Sequence, residues 1–135
     1  MKQSRAIVAL MVGCLWLSAF IGCSQPTPEE LASLAAKGYY DHLIRGEYEQ
    51  FLEGVDQRER MADEDYRSQL LDCYEQFMAQ QTTIHRGILE VRVSNAKTDT
   101  IQKYTNVFLV LCYGDSTNEE IVVPMVERNG SWRMK

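Results

Sequence analysis

Only three prolines and eight glycines occur in 135 residues, which excludes collagen-like and low-complexity disordered chains. Histidine is scarcer still, with His42 and His85 alone. These two and the four cysteines show no close ligand spacing, so a structural zinc site is not expected. There is no phosphate-cradling glycine loop, no nucleophile elbow and no haem-attachment pattern. Basic residues are the minority, 14 against 19 acids, giving a net charge of −5. That balance argues against nucleic acid, or an anionic lipid surface, as a partner for the surface as a whole. No internal repeat breaks the chain, and its length suits one domain.

What is present begins with an address. Lys2 and Arg5 precede an uncharged run from Ala6 to Ile21. These sixteen residues would rise ~24 Å as a helix, short of a ~30 Å hydrocarbon core, so a signal peptide fits better than a permanent span. Phe20-Ile21-Gly22-Cys23 resembles a bacterial lipobox, with Phe20 where Leu is usual. On that resemblance residues 1–22 are a lipoprotein signal peptide, Cys23 is the lipid attachment site, and residues 23–28 are a tether. Three acyl chains would anchor the protein to a membrane permanently. Ser24, in place of the Asp of an inner-membrane retention signal, resembles an outer-membrane lipoprotein. The expected location is therefore the bacterial cell envelope, at the outer membrane.

Removing 22 of 135 residues leaves 113, and losing Lys2 and Arg5 takes the charge from −5 to −7. Thr27-Pro28-Glu29-Glu30 reads as a capped helix start. Leu31, Leu34, Ala35, Tyr39, Leu43 and Ile44 recur at helical spacing before Gly46 stops the helix. A short second helix carries Tyr48, Phe51 and Leu52 and ends at Gly54. A third runs from about Asp63 to Gln80 with an apolar stripe of Tyr66, Leu70, Tyr74, Phe77 and Met78. Beyond residue 83 the period becomes two. Leu89, Val91 and Val93 alternate with Glu90 and Arg92; residues 105–113 are apolar on both faces; a third strand covers about 119–127. Asn129-Gly130 predicts a tight hairpin into Ser131–Met134. Pro124 marks an edge or a bulge. The expected class is α+β: three N-terminal helices packed on a curved antiparallel sheet of about four strands, filling residues 29–135. Charge is uneven, since residues 24–83 hold 13 acids and 5 bases while residues 84–135 hold 6 and 7.

Two stretches carry a wider resemblance: Tyr39-Tyr40-x-x-Leu43-x-x-Gly46-x-Tyr48-x-x-Phe51-Leu52, and the closing Pro124-Met125-Val126-Glu127-Arg128-Asn129-Gly130-Ser131-Trp132-Arg133-Met134. With the helix order between them they resemble the nuclear-transport-factor-2-like (cystatin-like) superfamily, and within it small bacterial lipoproteins of unknown function. The resemblance implies helices lying in a bent sheet around a conical pocket. It also implies a membership ranging from isomerases and dehydratases to ligand binders and interaction modules, so fold alone does not select a function.

Chemistry in such a cone needs acid–base groups inside it. Asp41 and His42 are adjacent on a helix and point ~100° apart, and His85 is expected in solvent before the first strand. Strand positions 107–112 and 121–126 contain no Asp, Glu, His, Lys or Arg, which weighs against an enzyme. The candidate pocket is aromatic: Tyr39, Leu43, Tyr66, Tyr74, Tyr113 and Trp132, suited to a small amphipathic ligand. Cys73 and Cys112 are left either to pair as a disulfide or to stay as buried thiols. The apolar second face of residues 107–112 points to a homodimer through the sheet. The leading expectation is thus a lipid-anchored, non-catalytic module for a small ligand or an envelope protein, with no cofactor, metal or nucleic acid. A cone-pocket isomerase, dehydratase or hydrolase, and a structural assembly subunit, are the alternatives.

Overall fold

A computed structural model describes residues 24–57 and 59–135. The signal peptide at residues 1–22 and acylation at Cys23 lie outside the described residues. Helix α1 spans Pro28–Ile44, α2 spans Tyr48–Glu53, a single 3₁₀ turn covers Arg60–Ala62, and α3 spans Glu64–His85; strands β1 (Ile88–Asp99), β2 (Tyr104–Tyr113), β3 (Asn118–Arg128) and β4 (Ser131–Met134) follow. The strands form one antiparallel meander in the order β1-β2-β3-β4. The architecture is α+β, helices on one face of a four-stranded sheet. No described helix is long and apolar enough to cross a membrane.

The start of α1 is built as its sequence dictates. Thr27 Oγ1 accepts the Glu30 N–H at 3.2 Å, and Glu30 Oε2 accepts the Thr27 N–H at 3.2 Å, closing a capping box on two otherwise orphaned donors. The buried face of this helix differs from the expected stripe. Ala32, Ala36 and Leu43 are buried, while Leu31 is 40% and Leu34 72% exposed. Two alanines without bulk let the helix backbone settle close on the sheet, and that rotation turns the neighbouring leucines outward.

Strand β2 is the centre of the core. Thr105, Val107, Leu109, Leu111 and Tyr113 are buried and face the helices; the even-numbered residues between them face the other way and are half-covered. Phe108, Val110 and Val122 share that second face, and Val122 is 52% exposed. Strand β1 departs from the expected alternation. Register shifts between Ile88 and Glu90 and between Val93 and Asn95 place Ile88 and Val91 in the core and leave Leu89 exposed. Bulges of this kind bend a strand and curl the sheet. The β2–β3 register runs unbroken past Pro124. Its carbonyl accepts the Lys135 N–H at 2.8 Å, so the missing proline donor faces the outer edge and the central ladder loses nothing. Asn129 (φ 53°) and Gly130 (φ 82°) form the turn into β4, both in the left-handed region such a two-residue hairpin requires.

The chain after α2 returns to β4: the Met134 N–H donates to Gly54 O at 2.6 Å and the Asp56 N–H to Met134 O at 2.7 Å. Strand β4 pairs only with Met125–Arg128, so Asn118–Val123 is an edge. Helix α3 behaves differently from the other elements. Asp63 caps it through the N–H groups of Asp65 and Tyr66, yet none of its residues is buried. Of its apolar stripe, Tyr74 and Met78 pack on the core, while Phe77 is 38% exposed. Among the described residues the core lies between Ala32 and Met134, and a chain starting at Ser24 retains all of that core.

Candidate ligand-binding site

The half-covered face of α3 leaves a space between that helix and the sheet. This cavity, of about 570 Å³, is lined by Tyr40 and Leu43 of α1, Phe51 of α2, Cys73, Tyr74, Phe77 and Gln81 of α3, Leu111 and Tyr113 of β2, and Glu119, Ile121 and Val122 of β3. Its size is that of a small-molecule site. One wall is a run of perpendicular aromatic contacts: Tyr40 meets Phe51 at 5.3 Å, and Phe51 meets Tyr74 at 4.9 Å. Edge-to-face pairs of this kind fix ring positions beyond what burial alone does. Burial also pushes the Tyr40 and Tyr74 phenols above their usual range, so both remain neutral donors.

The polar end of the cavity is assembled by a junction of three segments. Helix α3 ends with Arg86 in the left-handed conformation (φ 61°) and Gly87 at φ 86°. The β2–β3 turn docks on that end: the Gly114 N–H donates to Gly87 O and the Asp115 N–H to His85 O, both at 2.9 Å. A Cβ at Gly114 would lie 2.4 Å from the Arg86 carbonyl oxygen, so only glycine permits this approach. The docking brings His85 to Asp115, with Nδ1 2.9 Å from Oδ2. An ionised carboxylate only accepts, so the proton sits on Nδ1. The Thr117 hydroxyl, then His85, then the Thr117 N–H hold the Asp115 carboxyl down at about 2. The His85 ring stacks on Tyr113 at 4.1 Å, and the Tyr113 hydroxyl donates to Glu119 Oε2 at 2.5 Å. Burial, then the Glu119 carboxylate, push the Tyr113 phenol up to about 12. Tyr113 and Glu119 face the cavity; His85 and Asp115 do not line it. They hold the tyrosine in place from behind.

The sequence matches no protein-family model and no curated protein. The three-dimensional structure does find a counterpart. It superposes on a Campylobacter jejuni protein named as an NTF2-like transpeptidase, with a TM-score of 0.59 over 73% of this chain and 92% of that one, at 13% sequence identity. The chain has an NTF2-like fold. At that identity the likeness is one of fold, and the counterpart's named activity stays with the counterpart.

Within the NTF2-like cone, the residues singled out from sequence divide in two. Leu43, Tyr74 and Tyr113 line the cavity. Tyr39, Tyr66 and Trp132 are elsewhere. Tyr39 turns toward β4, its hydroxyl donating to the Trp132 carbonyl at 2.8 Å; Tyr66 donates to Gln57 Oε1 at 2.6 Å. Tyr40, Phe51 and Glu119 were not foreseen as pocket residues. Cys73 and Cys112 are free thiols. Cys112 lies half-buried on the face of β2 directed away from the helices, whereas Cys73 on α3 is exposed rather than buried. His85, expected in solvent, is instead packed in the junction. Asp41 and His42 have separate partners, Lys37 at 2.8 Å and Glu47 at 3.4 Å. A second hollow, of about 590 Å³, lies at Asp56, Gln57, Glu59, Arg60, Arg128 and Asn129. Its walls are charged, with Arg128 and Asp56 paired at 3.1 Å. It lacks the apolar lining that usually holds a ligand.

Proposed function

We propose that this protein is a lipid-anchored module of the cell envelope whose cone holds a small amphipathic ligand without transforming it. The observation that carries the reading is the cavity beneath α3, apolar along Leu43, Phe51, Leu111 and Ile121, with the hydrogen-bonded pair Tyr113–Glu119 at one end and neutral polar groups from Tyr40, Tyr74 and Gln81. A pocket of that composition buries an apolar body and fixes one polar end. The lipobox-like Phe20–Cys23 supports the anchor, and the polar stretch after it supports a tether. Two features favour binding over chemistry. Tyr113, held near 12, does not exchange its proton at neutral pH, and the imidazole nearest the cavity is stacked behind that tyrosine and engaged by Asp115.

The test is direct. The fragment from Ser24 onward is titrated with the neutral fluorophore N-phenyl-1-naphthylamine, alongside an Ile121→Trp variant whose larger ring fills the cavity. Saturable dye binding by the wild type, lost in the variant at unchanged melting temperature, is the expected result. A wild type that leaves the dye unbound, or a variant that binds it equally well, overturns the reading.

A further inference from the structure

We propose that the cone selects a cationic amphiphile, with an ammonium-type headgroup seated against Glu119 and an apolar tail lying along Phe77, Leu111 and Ile121. This deepens the reading of the cavity given above and rests on it. The argument begins with the lining, which holds one charged side chain, Glu119, and no lysine, arginine or histidine. Glu119 Oε2 receives the Tyr113 hydroxyl. Among the described residues, no cation lies within ion-pair distance of Glu119. Glu119 is exposed at the mouth of the cavity, so its charge is oriented by Tyr113 and hydrated on its open side, with no protein cation beside it. A carboxylate in that condition accepts a charged donor more strongly than a neutral one.

The surroundings act in the same direction. The helical half, residues 24–83, carries 13 acids against 5 bases. The summed field attracts cations and repels anions. An anionic amphiphile would bring like charge to Glu119, and a neutral one would gain no charge interaction with it.

The experiment compares three ligands with the same tail, octylammonium, octanol and octanoate, as displacers of the neutral naphthylamine dye. Each is measured on the fragment from Ser24 with wild-type sequence, with Glu119→Gln and with Tyr113→Phe. Wild type is expected to favour octylammonium over octanol by roughly two- to fivefold, the gain of a solvent-exposed ion pair, with octanoate weakest. Glu119→Gln abolishes that preference while still binding the dye, and Tyr113→Phe, which keeps the charge, retains most of it. Dye binding with equal affinity for the cation and the alcohol refutes the headgroup assignment alone. So does a preference that survives Glu119→Gln. Failure of the wild type to bind any ligand, the dye included, removes the cavity reading and this one with it.

Discussion

The close approach of α1 to the chain after α2 yields a prediction whose size follows from geometry. A Cβ added at Gly54 would lie 2.6 Å from both Cγ and Cδ1 of the Tyr39 ring and 2.8 Å from Cδ2, well inside van der Waals contact. The backbone at Gly54 is ordinary right-handed (φ −76°, ψ −10°), so alanine brings no conformational strain and would by itself add about 0.4–1 kcal/mol through the unfolded state. Against this stands overpacking, about 1–3 kcal/mol. Displacing the ring also endangers the bond from the Tyr39 hydroxyl to the Trp132 carbonyl, a further ~1 kcal/mol. Gly54→Ala should therefore destabilise the fold by roughly 1–3 kcal/mol, lowering the urea midpoint without changing the slope. A Tyr39→Ala background isolates the cause. With the ring gone, the same Gly54→Ala change should be neutral or stabilising, giving a large coupling energy. Equal stability of Gly54→Ala and wild type, or an undiminished loss in the Tyr39→Ala background, would refute the steric argument.

Two further expectations are independent of that contact. Replacing Cys23 with Ala should move the protein from the membrane fraction to the supernatant, and continued retention would count against lipidation there. Asp115, whose folded value of about 2 lies below the ordinary 3.8, contributes stability that is present above the unfolded value and lost as pH falls from about 4 toward 2. Asp115→Asn should flatten the fall of the urea midpoint across that window, and an unchanged pH dependence would show that the His85–Asp115–Thr117 contacts do not operate in solution.

Most of the architecture was legible in the sequence because local signals and packing agree there. The capping box at Thr27–Glu30 and the Asn129-Gly130 turn each specify one conformation with few residues. The buried face of α1 was not legible, because alanine contributes little to an apolar stripe, and what places Ala32 and Ala36 inward is the nearness of the sheet. The end of α3 was placed too early, at about Gln80 rather than His85: the turn that stops it is set by Arg86 and Gly87 docking under Gly114, a tertiary contact. For the site, the scan for acid–base groups covered positions 107–112 and 121–126, and the polar pair sits at 113 and 119, just outside those windows. Its partnership depends on a turn that folds Tyr113 and Glu119 back onto each other, and His85 joins only because that turn meets a helix end 30 residues earlier.

The direction of α1 has a consequence for how the molecule is presented. Glu29, at its beginning, accepts the Thr98 hydroxyl at 2.5 Å beside the β1–β2 hairpin, while Leu43, near its end, lines the cavity. The helix between them holds these two residues ~21 Å apart. A chain held by its N-terminus, whether in a bilayer, on a bead or behind a fused partner, keeps its attachment at the opposite end of α1 from the cavity. Crowding many copies on one surface then leaves uptake governed by the spacing between neighbours rather than by the support beneath them.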